Sequence, residues 1–406
     1  MSLISISDWI DDVSGPDYLW FIKYLSANDT RANNTHQAGP YIPKQIVFRL
    51  FPDLNDSNKK NPDRFIDAYI DSHSDAKTVR VVWYNTRSRN ECRITRWGGA
   101  ASALLDPEST GALTVFAFRL DDNAHGNDLR LWVSRHPTEE DIIEERVGPV
   151  EPGRNGWRLW SRNAQIQQEL LGQLKAAKRS CHLPVDDIPS EWLDVFPSPT
   201  AIFEKSLDWR PMANSNVDVR LMQRRQCEFQ IFQSIEEAVT LPVIQRGFSS
   251  LNDFIDQAQT LLQRRKARAG RSLELHIRQI LVEEGFKEGR DFSWQPETER
   301  GKNPDFLFPS ESEYKNPDFP SSKLNMLAVK TTARDRWLQI LNEADRIGVK
   351  HLLTVQQGIS LKQFNEMSEN GVQLVIPEPL INDFPKSIRP SLKTLESFIG
   401  DIRLNL

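Results

Sequence analysis

Asp305 and Lys330 stand 25 residues apart, each at the end of a short apolar run, NPDFLFP (303–309) and MLAVK (326–330). Both runs read as buried strands. A carboxylate and a lysine at the ends of neighbouring strands can meet at one edge of a sheet. Phosphodiester hydrolysis needs that equipment: a carboxylate to hold a divalent cation, and a lysine to offset negative charge as it develops. The common nuclease pattern, PD…(D/E)xK, puts a second acid two residues before the lysine, where this chain has Ala328. The second carboxylate must therefore come from elsewhere. Glu343, 13 residues beyond Lys330, and Glu274, in the helical run 272–285, are the candidates. The plain alternative is a strand start with a snorkelling lysine.

Immediately after Lys330 comes TTARDRW (331–337). Arginine can fork onto guanine O6 and N7, and aspartate can accept from cytosine N4. Arg334, Asp335 and Arg336 at a helix start are thus equipped to read adjacent G·C pairs. A salt-bridged surface turn is the alternative. Two basic runs suit phosphates: RRKARAGRSLELHIR (264–278), with a local charge of +5, and TRSRNECRITRW (86–97), with +3. His36 lies in the polar loop ANNTHQAGPYIP (32–43), where it either contacts DNA or orders the loop. His276 and His351 read as local structure. There is no GxxxxGK[ST] loop, no HExxH and no Cys/His cluster, so a P-loop nucleotide site and zinc chemistry are excluded.

The elements that must position these residues differ between the two halves. Residues 40–135 read as β-rich, with strands at 78–85, 113–120 and 129–134. The acidic stretch Glu139 to Glu145 reads as solvated surface, and 165–180 as a short closing helix. Four prolines within 181–200 mark 176–200 as a connection, giving units at 1–175 and 201–406. The second unit opens on helices at 219–239, 250–265 and 272–285. Strands at 305–309, 326–330, 350–358 and 371–379 then alternate with helices at 334–348 and 360–370. That order implies a mixed α/β sheet. With 406 residues, two or three domains are expected. No run of about 18 apolar residues exists, and the acidic start is no secretory signal. Three scattered cysteines, Cys92, Cys181 and Cys227, argue against a disulfide framework and for a reducing cytoplasm.

These stretches together resemble the EcoRII-type restriction endonucleases, over nearly the whole chain. The matching blocks are FIKYLSANDTRANNTHQAGPYIP (21–43), SRNECRITRWG (88–98), DPESTGALTVFAF (106–118), RRKARAGRSLELH (264–276), NPDFLFPSESEY (303–314) and MLAVKTTARDRWLQILNEADRI (326–347). The resemblance implies an N-terminal effector domain with a DNA-binding pseudobarrel of the plant-transcription-factor type. It also implies a C-terminal domain with the mixed α/β restriction-endonuclease fold. It places Asp305, Lys330 and Glu343 in the active site, with Asp305 and Glu343 as metal ligands and Glu274 and Tyr314 close by. It assigns specificity to Arg334, Asp335 and Arg336, and Arg225 to the target's centre. In the effector domain it points to His36, Tyr41, Arg89, Glu91, Arg93 and Arg96. Two departures stand out: the family relative carries lysine where this chain has Arg334, and again where it has Cys92. The first restores the R-D-R pattern of related CC/GG readers. The second removes an expected DNA contact.

The expectation is a homodimeric, Mg²⁺-dependent type II restriction endonuclease that cuts double-stranded DNA at a palindromic site with a CC…GG core. A second copy of the site would bind the N-terminal domain as effector. It would work beside a cognate DNA methyltransferase in the cytoplasm. A DNA-binding regulator without catalysis, or a less specific repair or recombination nuclease, are the rivals.

Overall fold

The computed structural model describes residues 5–33, 39–86, 89–153, 156–163, 181–212 and 215–406. Among them, the N-terminal half forms an eight-stranded sheet in the order β2-β5-β4-β3-β7-β6-β1-β8. The strands are β1 (Tyr18–Tyr24), β2 (Tyr41–Ile42), β3 (Asp63–Ile70), β4 (Asp75–Tyr84), β5 (Glu91–Thr95), β6 (Leu113–Leu120), β7 (Gly126–Val133) and β8 (Arg158–Trp160). Neighbours pair antiparallel except β3 and β7. Strand β1 is buried throughout because both its faces are covered, with Lys23 paired to Asp29. Leu19 and Phe21 enter one core with Phe116 and Phe118, beneath Ile46, Val47 and Leu50 of α2 (Lys44–Leu50). Trp20 and Ile22 enter another, with Trp132, Trp9 of α1 (Ile6–Asp12) and Ile143 of α3 (Pro137–Val147).

Helix α3 corrects the expectation of a solvated acidic stretch. Glu139 and Glu140 are buried. Glu139 accepts from Trp132 Nε1 (3.2 Å), the Arg135 amide (2.7 Å) and the Arg135 guanidinium, and Glu140 accepts from the Leu113 amide (3.2 Å). Glu144 takes the Val150 amide at 2.9 Å. These carboxylates serve as internal acceptors for main-chain donors that would otherwise be unpaired.

The helix expected at 165–180 lies outside the described residues. From Cys181 onward the proline-rich connection is packed rather than loose. It carries short α4 (Ser190–Asp194), and Leu183 and Ile188 pack against Ile231 and Ile235 of α6 (Val217–Arg246), beside α5 (Pro199–Trp209). Cys181 and Cys227 form a disulfide, so the argument from cysteine count is overturned. The two are 46 residues apart in sequence, and only the packing of the connection on α6 brings them together.

The two periodic stretches after residue 250 join into one helix, α7 (Leu251–Glu283), antiparallel neighbour of α6 in a long hairpin. This also corrects the reading of 264–278 as a phosphate patch. Arg265 pairs with Glu236 (2.8 and 2.7 Å), Arg268 pairs with Glu228 (3.0 and 2.9 Å), and Arg271 lies over the Trp294 ring. Two of the six cations of the run, Arg265 and Arg268, therefore neutralise acids of α6, while Lys266 remains exposed.

The C-terminal sheet runs β13-β12-β11-β10-β9, from β9 (Ser293–Trp294), β10 (Phe306–Phe308), β11 (Asn325–Lys330), β12 (Lys350–Thr354) and β13 (Val372–Val375). The β9–β10–β11 part is antiparallel and β11–β12–β13 is parallel, the expected mixed sheet. Its core joins Leu273, Ile277 and Ile280 of α7, Met367 of α10 (Leu361–Glu369), and Phe398 and Ile402 of α11 (Leu395–Asn405). Short α8 (Glu311–Lys315) follows β10.

The helix expected over 334–348 is reduced to α9 (Trp337–Ile340), with Ala344 in the left-handed region at φ 49°. Two cations, Lys350 just past the segment and Arg346 within it, hold the chain in place of intrahelical bonds. Lys350 Nζ donates to the carbonyls of Glu343, Ala344 (3.1 Å) and Ile347 (3.2 Å). Arg346 reaches back to the carbonyls of Tyr314, Asn316 and Phe319. Among the described residues, no helix is long and apolar enough to cross a membrane.

Candidate active site and DNA-reading surfaces

Antiparallel pairing of β10 with β11 sets Phe306 opposite Leu327, so Asp305 lies one step beyond the pair, against Ala328 and Val329. Its Oδ2 accepts from the Val329 amide at 2.7 Å and from Lys330 Nζ at 3.2 Å. The two residues singled out in sequence therefore meet. The small, buried Ala328 is the vacated acid position, directly beside Asp305. Glu343, in the loop after α9, lies within the electrostatic reach of both Lys330 and Asp305. Burial pushes its carboxyl up to about 7, Lys330 draws it down and the charge of Asp305 raises it further. Glu343 Oε2 is buried with no hydrogen-bond partner.

Glu274, on the buried half of α7, accepts from Gln295 Nε2 (2.7 Å) and Trp294 Nε1 (3.2 Å). Burial raises its pKa, and Asp305 adds to the rise. Asp305 thus lies in the field of two other carboxylates with Lys330 as the nearest cation. Tyr314 is buried, and its hydroxyl donates to Glu299 and accepts from the Arg346 amide at 3.2 Å. Burial pushes that phenol up to about 12. Tyr314 braces the loop that carries Glu343.

Two repelling carboxylates, one with an orphaned buried oxygen, fit a divalent cation, which removes the repulsion and satisfies the oxygen. Among the described residues, no three His, Cys, Asp or Glu side chains converge tightly enough to hold a metal by themselves.

Arg334, Asp335 and Arg336 lie in a turn just before α9 rather than inside a helix. Arg334 is turned away from solvent, donating to the carbonyls of Ser134 (2.9 Å) and Arg135 (3.2 Å) and to Glu140 Oε1 (3.3 Å), all in the N-terminal half. Asp335 is exposed and Arg336 half-buried. Arg225 is also engaged: its Nη2 donates to Glu151 at 3.0 Å, and Glu151 takes Arg268 at 2.5 Å. Sequence reasoning missed Glu140 and Glu151, because nothing in the sequence says which acids will face an arginine 194 or 74 residues away.

In the N-terminal sheet, Tyr41 pairs with Arg93 across β2 and β5, and its amide donates to Asp29 Oδ1 at 3.0 Å. Arg93 bonds Glu91 (3.0 Å) and the Gly39 carbonyl (2.8 Å). Arg89 lies over the Tyr84 ring, and exposed Arg96 over Phe65 at 5.0 Å. His36 lies outside the described residues. Cys92 faces the core on the other side of β5, with burial pushing its thiol up to about 12. The expectation that this position contacts DNA is therefore corrected: a side chain at 92 points inward.

Comparison with known proteins gives the following. Residues 14–161 match the model of the N-terminal part of restriction endonuclease EcoRII, and residues 232–399 match that of the EcoRII C-terminal part. The chain is 41% identical over 404 residues to the type II restriction enzyme EcoRII of Escherichia coli, covering 97% of this chain and 96% of that one. Among solved structures, metal-depleted Ecl18kI in complex with uncleaved, modified DNA aligns at 19% identity and a TM-score of 0.44, over 53% of this chain and 80% of that one. The UbaLAI restriction endonuclease B3 domain with cognate DNA aligns at 19% identity and 0.28, over 38% and 97%.

Proposed function

Since this chain belongs to the EcoRII family of type II restriction endonucleases, and so is a site-specific deoxyribonuclease, we propose that it hydrolyses double-stranded DNA at a palindromic site with a CC…GG core. Mg²⁺ would be held by Asp305 and Glu343. The observation that carries the reading is the convergence of Asp305, Lys330 and Glu343 around a position whose usual acid, at Ala328, is missing. A bound divalent cation there supplies positive charge at the attacked phosphate and lowers the pKa of a coordinated water. The rest is done by the chain. The Val329 amide fixes Asp305, and Lys330 offsets charge on the phosphate oxygens. Glu274, linked to Gln295 and Trp294, keeps the third carboxylate at hand for a proton or a water.

Base reading is assigned to Arg334, Asp335 and Arg336, with Arg225 at the target's centre. A palindrome calls for a twofold protein, hence a homodimer. The exposed apolar residues near the tip of the α6–α7 hairpin, Ile244, Leu251 and Phe254, suit burial against a second copy. We divide the chain into an N-terminal effector unit at 1–175 and an endonuclease unit at 201–406, with His36, Tyr41, Arg89, Glu91, Arg93 and Arg96 meeting effector DNA. Because Arg334 and Arg225 are engaged by Glu140 and Glu151, the N-terminal unit restrains the C-terminal one until a second site copy draws it off. The Cys181–Cys227 bridge is unusual for a reducing compartment. A cytoplasmic location therefore rests on the reaction alone, which needs a chromosome protected by a cognate methyltransferase.

The test is Asp305→Ala and Glu343→Ala, each assayed for cleavage and for binding to a duplex that the wild type cuts. Both variants are expected to lose cleavage and keep specific binding, since base and phosphate contacts lie elsewhere. Cleavage near the wild-type rate in either would remove that residue from the site. Normal cutting by Glu343→Ala with none by Glu274→Ala would transfer the second carboxylate to Glu274.

A further inference from the structure

Where β11 ends, the ladder to β12 continues through side chains. Lys330 is the last residue paired, opposite Thr354. Beyond it, Thr354 Oγ1 donates to the Thr331 carbonyl at 3.1 Å. Gln356 then takes over. Its Oε1 accepts the amides of both Ala333 (2.9 Å) and Arg334 (3.3 Å), and its Nε2 donates to the Gly358 carbonyl at 2.8 Å. The side chain is 1% exposed. A buried carboxamide with both ends engaged is held in one orientation, because any rotation leaves a donor or an acceptor unpaired. It thereby fixes the backbone of the two residues that open the R-D-R turn.

The opposite side of this amide touches the N-terminal half. Gly111, at φ +85°, approaches so closely that a Cβ there would lie 2.6 Å from Gln356 Nε2. Next to it, the Gln357 carbonyl accepts the Ala27 amide at 2.9 Å. The segment from Val355 to Ile359 is therefore packed between the turn and the unit that engages Arg334.

We propose that Gln356 is a positioning residue for sequence specificity: it sets the backbone of Ala333 and Arg334, and through it the aim of Arg334, Asp335 and Arg336 at the bases. This rests on the reading of that turn as the base-reading element. Gln356 touches no DNA in this account. Its loss should blur discrimination between sequences while leaving phosphate contacts alone.

The experiment uses full-length Gln356→Met, Gln356→Asn, Gln356→Glu and Arg336→Ala. Each is titrated, without metal and at fixed salt, against the duplex that the wild type cuts and against a scrambled duplex. Thermal melting is measured in parallel. Gln356→Met removes the acceptor at nearly constant volume, and Gln356→Asn draws it back by one methylene. Both are expected to lower the cognate-to-scrambled affinity ratio roughly tenfold, within the range of one lost base contact. Gln356→Glu keeps an oxygen for the two amides but sets its second oxygen against the Gly358 carbonyl, so its ratio should fall between those of the Met variant and the wild type. If the Met variant does not fold, the Asn variant decides. A wild-type ratio in a folded Met or Asn variant overturns the proposal, as does equal weakening on both duplexes, which is what a merely structural role would give. Arg336→Ala separates the two levels. If it lowers the ratio and the Gln356 variants do not, only the positioning role fails. If it leaves the ratio unchanged, the reading of the turn fails and the Gln356 proposal fails with it.

Discussion

Glu151 offers the sharpest test of restraint between the two units. Its carboxylate receives Arg225 at 3.0 Å and Arg268 at 2.5 Å, and the three side chains are 14%, 8% and 3% exposed. Glu151→Gln keeps the shape but removes the charge and one acceptor. Arg268 retains Glu228, whereas Arg225 loses its carboxylate partner. A hydrogen bond to a charged group contributes about 1.5–3 kcal/mol, and stripping one partner from a buried pair costs about 3–5 kcal/mol. With one glutamine acceptor remaining, the docked arrangement should lose about 2–4 kcal/mol, or roughly a 30- to 700-fold shift in the docked-to-released ratio. The rate on DNA with one site should rise until release no longer limits it, so a gain of about tenfold or more is expected. Stimulation by a short site-bearing duplex added in trans should shrink correspondingly. The assay is single-turnover cleavage of a one-site plasmid, with and without that duplex, beside a melting curve. An unchanged one-site rate in a folded Glu151→Gln protein, with stimulation intact, would refute the reasoning: the contact would be incidental packing rather than a restraint.

Two further outcomes are expected. The carboxyl of Glu343 is pushed up to about 7, so it is protonated below that pH and a proton then competes with the cation. The Mg²⁺ concentration giving half-maximal cleavage should accordingly rise as pH falls through about 7 and level off above it; a metal requirement that is flat between pH 6 and 8 would remove Glu343 from the cation. Arg336→Ala should lower cognate binding roughly 5- to 150-fold more than random binding. Lys266→Ala, at an exposed lysine, should weaken both alike in a gel-shift comparison at fixed salt; equal losses for Arg336→Ala would assign that residue to phosphates.

The pairing of Asp305 with Lys330 was legible because one opens and the other closes a short apolar strand, and antiparallel neighbours bring those two ends together. Glu343 could be named from its distance beyond Lys330, but not the way it is held. The periodicity of residues 334–348 is that of a helix, and only Lys350, bonded to carbonyls within the segment, and Arg346, bonded to carbonyls of a distant one, show why the helix stops. The acids of α3 failed for a related reason: composition reports charge, whereas burial of Glu139 and Glu140 depends on which amides and arginines arrive from elsewhere. The basic run on α7 misled in the same way, since its partners Glu228 and Glu236 lie on a neighbouring helix. Gln356 carries no sequence signal at all; its contacts with Ala333 and Arg334 arise just past the last β11–β12 pair, Lys330 with Thr354.

The activity proposed for the Asp305 centre is metal-dependent cutting at one defined sequence. Its most direct measurement is digestion of a plasmid of known sequence with the purified chain and Mg²⁺, followed by sequencing of the fragment ends. Discrete fragments are expected, with ends that all fall at one palindrome with a CC…GG core, and none with Asp305→Ala or with chelator. A smear of unrelated ends, a single site lacking that core, or undiminished cutting by Asp305→Ala would contradict it.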